Sequence, residues 1–214
     1  MNMAEVKSQR RRYDASARRQ RAAQARRRTL RHARRLFVER GYAATSVADI
    51  AAAAGVGRRS VYDSFGSKRG VLLGLLEELA PAEQARFRAD IEASRDDPVH
   101  QLRLAVDLTT TLYAASGDVL AMVEAAAGAE PDLAALNAEG ERRRLAGQRS
   151  TVDEWHRCGF LRPGLGVDRA ADILWAMTSP WLFRSFVVER DWDVADYRGW
   201  LHAQLVGALL RDPA

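Results

Sequence analysis

The segment from Arg58 to Phe65 concentrates side chains that can read a nucleic acid. It runs Arg58-Arg59-Ser60-Val61-Tyr62-Asp63-Ser64-Phe65. In a helix, Val61 and Phe65 share one face, so the remaining side chains turn outward. Arginine binds a guanine edge through two parallel hydrogen bonds, whereas serine and tyrosine hydroxyls suit phosphate oxygens. The pattern therefore predicts a short helix that enters the major groove of DNA.

Two neighbouring positions supply further groups for an anionic backbone. Thr45 and Ser46 stand at the start of a preceding short helix, whose first N–H groups are exposed to a phosphate. Lys68 stands in the first turn of the following helix, where the helix dipole favours an acidic residue. An external anion is therefore the expected partner of the Lys68 ammonium.

Apolar periodicity predicts the helices that must position these groups. A stripe formed by Leu30, Ala33, Leu36 and Phe37 predicts a helix from Ser16 to Arg40, ending at Gly41. Residues 1 to about 15 show no periodicity, and residues 1–20 are predicted to form a disordered basic arm.

Capping signals divide the next segment into three helices. Ser46 and Asp49 have the spacing of a capping box, and Gly55 ends the short helix that they begin. The helix of Arg58 follows, and Ser67 then caps a helix that Pro81 breaks or kinks. Two short helices joined by a glycine turn, with a helix on each side, predict a helix-turn-helix domain over residues 21–70.

The sequence pattern of the remaining residues, 71–214, also predicts helices connected by short loops. Asp97-Pro98 opens a segment to about Ser116, and Pro131 begins a helix that runs to Cys158. Further helices are predicted over about 168–189 and 194–211. No segment alternates with period two over a strand's length. We therefore predict an all-α fold, with a three-helix N-terminal domain and a helical C-terminal domain.

The charge distribution separates the same two parts. Residues 1–70 hold 18 basic and 5 acidic side chains, a net charge of +13, whereas residues 71–214 carry −8. A strongly basic N-terminal segment followed by an acidic remainder is typical of a nucleic-acid-binding module joined to a second domain. Cys158 is the single cysteine, and the Arg-rich N-terminus has no apolar signal segment. A cytoplasmic protein that does not bind a membrane is expected.

Several segments of residues 26–76 together resemble the DNA-binding domain of TetR-family regulators. They are Leu36-Phe37-Val38-Glu39-Arg40-Gly41-Tyr42, Thr45-Ser46-Val47 through Ile50-Ala51, Ala54-Gly55-Val56, and Val61-Tyr62 through Phe65-Gly66-Ser67-Lys68. The segment Leu174 to Pro180, with Arg190 to Trp192 and Trp200-Leu201, is more loosely similar to one C-terminal type of that family. The chain departs from the family at Gly57, where a serine cap is commoner, and at Ser64, where a larger side chain often reaches phosphate.

The resemblance implies a ligand-responsive transcriptional regulator, a repressor, that binds double-stranded DNA at a palindromic operator. It implies a homodimer formed through about 168–211 and a small-molecule effector that binds among the central helices and alters the spacing of the DNA-reading helices. No cofactor or metal is implied. The positions that match family DNA contacts are Thr45, Ser46, Arg58, Arg59, Ser60, Tyr62, Ser64 and Lys68.

Other functions stay open at this point. An enzyme is not expected, because the sequence has no G-x-S-x-G, Walker or G-x-G-x-x-G motif. A protein that coats DNA without an effector is the second alternative, although coating DNA does not require so large a C-terminal domain. Arg142-Arg143-Arg144 is a solvated helix face or a site for an anionic effector, and the five tryptophans are core, interface or cavity residues.

Overall fold

The computed structural model of the protein describes residues 3–77 and 81–211, with the side chains of residues 3–19, 81–85 and 88 left out. The described ranges form helices and no β-strand, and an isolated bridge pairs Leu161 with Leu210. The all-α prediction is confirmed. The helices are α1 (Met3–Arg40), α2 (Val47–Ala54), α3 (Arg58–Phe65), α4 (Lys68–Glu77), α5 (Pro81–Ala93), α6 (Pro98–Ala127), α7 (Pro131–Arg157), α8 (Val167–Met177), α9 (Pro180–Phe183), a π-helical turn (Arg184–Val188) and α10 (Val194–Leu209).

The chain divides into two compact units, Met1–Glu78 and Leu79–Ala214. We call them the N-terminal and the C-terminal unit. From the sequence, the boundary between the two domains was predicted after residue 70, eight residues earlier than the structure shows it. The difference is α4, which contacts α1 and α3 and buries Val71, Leu72 and Leu75. Burial of an aliphatic side chain contributes about 1.5–3 kcal/mol, so α4 is a structural part of the N-terminal unit.

The core of the N-terminal unit uses the stripe that the sequence predicted in α1. Leu30, Ala33, Leu36 and Phe37 are all buried, and Ile50 of α2 is buried with them. Gly41 follows α1 with a φ of +83°, a left-handed conformation in which a residue without a Cβ is least strained. The prediction that α1 ends at this glycine is confirmed.

The first helix begins earlier than the sequence suggested. Its backbone is helical from Met3, where an arm without regular structure was predicted over residues 1–20. No glycine or proline precedes Gly41, so nothing in the sequence interrupts a helix rich in alanine, arginine and glutamine. Residues 1 and 2 and the side chains before residue 20 lie outside the described part.

The C-terminal unit packs α6, α7, α8 and α10 around one apolar core. Its largest buried side chains include Trp155, Tyr197, Leu102, Leu201 and Leu205. α6 continues to Ala127 rather than ending near Ser116, because Gly117 lies within the helix and does not break it.

The helix predicted over 168–189 is interrupted. α8 ends at Met177, and Ser179 caps a new helix by accepting a hydrogen bond from the backbone N–H of Leu182 at 3.3 Å. Proline at the next position lacks an N–H and favours the first turn of a helix, so Ser179-Pro180 starts a helix instead of continuing one. None of the helices in the described part has both the length and the apolar character needed to cross a bilayer.

Candidate nucleic-acid interface and ligand cavity

Capping residues define both ends of α2. The Ser46 hydroxyl accepts from the backbone N–H of Asp49 at 3.1 Å, and the Asp49 carboxylate accepts from the backbone N–H of Ser46 at 2.9 Å. This reciprocal pair is the predicted capping box. Hydrogen bonds from Ser46 lower the pKa of the Asp49 carboxyl below its ordinary value. Gly55 ends α2 with a φ of +63°, so both predicted ends of this helix are confirmed.

α3 starts without a side-chain cap, because Gly57 occupies the capping position. Its first turn therefore keeps backbone N–H groups for an external acceptor. Val61 is buried in the domain, and Phe65 packs under the guanidinium of Arg26, which lies 4.6 Å from the ring centre. These two inward residues fix the rotation of α3 about its axis.

The rotation of α3 places most of the predicted contact residues on its exposed side. Tyr62 is 52% exposed, although an aromatic side chain is normally covered. Arg59 contacts Asp63 at 3.9 Å, a weak ion pair between two exposed groups that leaves the guanidinium mobile. Five of the eight predicted residues lie exposed on this helix: Arg58, Arg59, Ser60, Tyr62 and Ser64.

Thr45 is placed differently from the prediction. Its side chain is only 1% exposed, and its hydroxyl donates to the carbonyls of Gly41 at 2.9 Å and Leu36 at 3.2 Å. The hydroxyl therefore ties the segment before α2 to the end of α1 and is not directed to solvent. Ser46 is exposed, but its hydroxyl and its N–H both bind Asp49. Both residues position α2. The spacing of Ser46 and Asp49 predicted this role for Ser46, whereas the sequence pattern did not reveal it for Thr45.

Lys68 also has a partner within the domain. Its ammonium donates to the main-chain carbonyl of Tyr42 at 2.9 Å and lies 4.1 Å from the centre of the Tyr42 ring. An ammonium has three N–H donors, so donors remain for a phosphate. The structure thus links Lys68 to the segment after α1 and keeps it compatible with a backbone contact.

A basic groove lies on the described part of α1. Arg21, Arg27, Arg28 and Arg31 are exposed there and line it together with Gln24 and Ala25. Arginines that recur on one helix turn after turn are suited to following phosphates without reading bases. This groove lies on the part of α1 that follows the predicted arm of residues 1–20.

The C-terminal unit contains an open cavity of about 620 Å³ between α5, α6, α7 and α8. A volume of this size accommodates a small organic molecule. Its walls combine aliphatic and aromatic side chains with neutral polar ones, and charged groups add to the lining. The lining includes the apolar Phe87, Ile91, Leu108, Leu174 and Trp155, the neutral polar Gln101, Thr109, Gln148 and Thr178, and the charged Glu92, Arg95, Arg143, Arg144 and Glu154.

Each of these charged groups has an ion-pair partner on its own or a nearby turn. Arg95 binds Glu92 at 2.5 Å, and Glu154 accepts from Arg157 at 2.7 Å. The three arginines Arg142, Arg143 and Arg144 are also paired with glutamates of the same helix. Arg142 and Arg143 both bind Glu139 and are largely exposed. That pairing favours the solvated helix face over a free anion site.

Arg144 differs from its neighbours because it is mostly buried. Its side chain is 19% exposed, binds Glu141 at 2.7 Å and donates to the carbonyl of Trp175 at 2.7 Å. The guanidinium also lies 4.8 Å from the centre of the Trp175 ring. These contacts join α7 to α8 beside the cavity, so Arg144 is a structural residue in this unit.

The tryptophans separate into two environments. Trp155 is buried and lines the cavity, whereas Trp192 and Trp200 pack on Phe186, with ring centres 4.8 and 4.7 Å from it. Trp181 stands apart because 57% of it is exposed, and Val188 in the same segment is 63% exposed. Apolar side chains that remain this exposed in one segment are typical of an interface.

The N-terminal unit has the helix order of a helix-turn-helix domain, and a family model matches the same residues. Residues 30–75 match the model of bacterial regulatory proteins of the tetR family. Over these residues the N-terminal unit is therefore similar to the DNA-binding domain of TetR-family regulators. Over 75 residues it is 33% identical to the HTH-type transcriptional regulator EthR of Mycolicibacterium smegmatis. That match covers 35% of this chain and 35% of EthR, so it spans about a third of the length of that relative.

Solved structures extend the likeness to most of the chain. SmeT in its complex with triclosan has a TM-score of 0.74 at 23% identity, covering 88% of this chain and 92% of SmeT. NalD, the secondary repressor of the MexAB-OprM multidrug efflux pump in Pseudomonas aeruginosa, has a TM-score of 0.71 at 23% identity, covering 90% and 100%. These likenesses establish that the C-terminal unit shares the fold of such regulators.

The polar residues of the cavity were not identified from the sequence. Gln101 and Gln148 lie on α6 and α7 among charged and apolar neighbours, and neither has a motif around it. The sequence contains only a weak indication of their role. A glutamine on the face of a helix that packs against other helices needs a hydrogen-bond partner inside the protein. Only the contacts between helices show which atoms of each glutamine have a hydrogen-bond partner.

Proposed function

We propose that this protein is a ligand-responsive transcriptional repressor that binds a near-palindromic DNA operator as a homodimer. The observation that carries the proposal is the exposed side of α3. Arg58, Arg59 and Tyr62 project from a helix whose opposite face is fixed in the domain core. That arrangement is suited to base reading by the arginines and to phosphate binding by the tyrosine. Action on DNA also favours a cytoplasmic location.

Dimerisation is supported by the apolar surface near the C-terminus. Trp181 and Val188 are exposed within the segment from α9 to the end of the π-helical turn. A two-fold dimer would cover this surface and present two copies of α3 to the two halves of an operator. The predicted interface over 168–211 includes this segment.

Ligand response is supported by the cavity between α5, α6, α7 and α8. SmeT, which shares the fold, has been solved with triclosan. A molecule that binds one conformation of this unit more tightly than another would shift the protein toward that conformation. Repression rather than activation is the direction proposed here, and NalD is described as a repressor.

Selection of bound sequences from a random double-stranded pool, followed by binding titrations, tests the DNA-binding part. We expect enrichment of a sequence with two-fold symmetry and at least a thousandfold preference over random DNA, about the lower limit for specific binders. A protein that only coats DNA would bind random and selected sequences alike. That result would contradict the proposed regulator and support the alternative.

A further inference from the structure

We propose that the cavity of the C-terminal unit takes a neutral, mainly apolar molecule whose hydroxyl or amide N–H donates to the side-chain carbonyl of Gln148. This inference rests on the proposed ligand response and specifies its ligand class. It follows from the hydrogen bonds of the residues that line the cavity.

Thr178 determines the orientation of the Gln148 amide. The Thr178 hydroxyl donates to the carbonyl of Leu174 at 2.6 Å, so its proton is already committed. The same oxygen lies 2.7 Å from Gln148 Nε2, and it can only accept there. The amide nitrogen therefore faces Thr178, and Gln148 Oε1 is the atom left over.

Gln148 Oε1 is buried and has no hydrogen-bond partner. A buried carbonyl without a donor is unfavourable, so a ligand that supplies the donor gains more than one that only fills space. Arg184 Nε also lacks a hydrogen bond, but it lies 3.3 Å from Glu189 Oε1 and does not line the cavity.

Two other neutral polar side chains of the lining, those of Gln101 and Thr109, are already paired. Gln101 accepts from the indole N–H of Trp155 at 2.5 Å and donates to the carbonyl of Ile91 at 3.0 Å. Thr109 donates to the carbonyl of Ala105 at 2.8 Å. Gln148 Oε1 differs from them because it is a buried acceptor that no donor of the described residues satisfies.

Charge and apolarity complete the ligand class. The charged lining groups hold partners of opposite sign, as Arg95 does with Glu92 and Arg143 with Glu139. An ionic ligand would have to compete with these pairs and lose its own hydration. Phe87, Ile91, Leu108 and Leu174 supply the apolar walls. A neutral body with one donor matches this combination.

Calorimetric titration of the full chain without DNA tests the proposal. The probes are a panel of aliphatic alcohols, phenols and anilides, each with its O-methyl or N-methyl analogue. Carboxylate and quaternary ammonium compounds with the same apolar bodies complete the panel. We expect donor-bearing members to bind, and methylation to weaken the tightest of them about tenfold, the value of a well-formed hydrogen bond. Equal affinity for the methylated analogues, binding of only the ionic members, or no binding by any donor-bearing member would overturn the assignment.

Two variants locate the effect at Gln148. Gln148→Met keeps the length of the side chain and removes the acceptor, so the methylated and unmethylated probes should bind within about twofold of each other. Thr111→Val, at an exposed position of α6 that does not line the cavity, is the control and should keep the preference for donors. Equal donor preference in wild type and Gln148→Met would overturn the role of Gln148. If Gln148→Met does not fold, the comparison of methylated and unmethylated probes on the wild type decides the ligand class.

The same probes separate this inference from the proposed function. If donor-bearing probes bind through Gln148 but leave DNA affinity unchanged, the ligand class stands and ligand-responsive regulation fails. If the protein reads an operator while the methylated analogues bind as tightly as their parents, the regulator stands and the ligand class fails.

Discussion

The ammonium of Lys68 donates to the main-chain carbonyl of Tyr42 at 2.9 Å and lies over the Tyr42 ring at 4.1 Å. This contact connects the start of α4 with the segment that follows α1. The sequence pattern predicts a phosphate contact for Lys68, and the structure adds an internal role. The two roles predict different results when the ammonium is removed.

Lys68→Met should lower the free energy of unfolding by about 1–2 kcal/mol, the combined value of one hydrogen bond to a charged group and a cation–π contact. Urea unfolding without DNA measures this change. Arg69→Met, at the next and exposed position, is the control and should unfold like the wild type. Unchanged stability of Lys68→Met together with weaker DNA binding would leave only the phosphate role.

Arg58→Ala and Arg59→Ala test whether α3 reads bases. At least one of them should weaken binding to the selected site by about 1–3 kcal/mol and relax preference at one position of each half-site. Tyr62→Phe should instead weaken binding to all sequences alike. Titrations against the selected site and its single-base variants measure both effects.

Stability of the same variants provides the control. The ion pair of Arg59 with Asp63, at 3.9 Å between exposed groups, is weak, so Arg59→Ala should unfold like the wild type. Should both arginine variants keep wild-type affinity and preference, α3 is not the element that reads DNA.

The contrast between Ser46 and Thr45 shows what the sequence could and could not predict. The capping box of Ser46 and Asp49 is a local pattern, and the spacing alone predicted its hydrogen bonds correctly. Thr45 faces inward because its hydroxyl reaches Leu36, nine residues earlier, and that contact depends on how α1 and α2 pack. The same limit applies to the cavity, where Gln101 meets Trp155 across 54 positions. Helix type was predictable, as were the helix ends that a local cap marks at Ser46, Gly55 and Gly41, whereas pairings between helices were not.

Asp49 should make the stability of the N-terminal unit sensitive to acid. Hydrogen bonds from Ser46 lower the pKa of its carboxyl in the folded state below the ordinary value of 3.8. A lowered pKa stabilises the fold above the ordinary value, and this contribution is lost as the pH falls through the lowered value. Asp49→Asn should therefore flatten the acid dependence of the unfolding free energy. Asp63→Asn, on the exposed side of α3, is the control, and an equal effect there would contradict the role of the capping box.

Tyr113 should make the C-terminal unit sensitive to alkali. Its hydroxyl donates to the carbonyl of Thr178 at 2.9 Å, and burial raises its pKa from 10.0 to about 12. A raised folded-state pKa means that the unfolded chain ionises first, so stability falls as the pH rises from about 10 to about 12. The expected slope is about 1.4 kcal/mol per pH unit from this group.

Tyr113→Phe should remove that part of the alkaline slope and also lower stability near pH 7 by about 1–2 kcal/mol, because the Thr178 carbonyl loses its donor. Burial raises the pKa of Tyr197 as well, so Tyr197→Phe should reduce the slope in the same direction. Thr109→Val changes no ionisable group and serves as the control. A wild-type slope in Tyr113→Phe would mean that this tyrosine ionises in the folded state.

The exposed apolar surface around Trp181 and Val188 is the proposed dimer interface, and a charged substitution there tests it. If this surface is the interface, a carboxylate placed in it would be desolvated against apolar neighbours, which opposes association. Val188→Asp should therefore be monomeric by light scattering at micromolar concentration, where we expect the wild type to be dimeric. Its operator affinity should fall, because one α3 reads only half a site. Val99→Asp is the matched control, because Val99 is also exposed but lies at the start of α6. It should stay dimeric, since a charge outside the interface does not affect association. A monomeric wild type, or a Val188→Asp variant that remains dimeric, would show that the subunits do not associate through this segment.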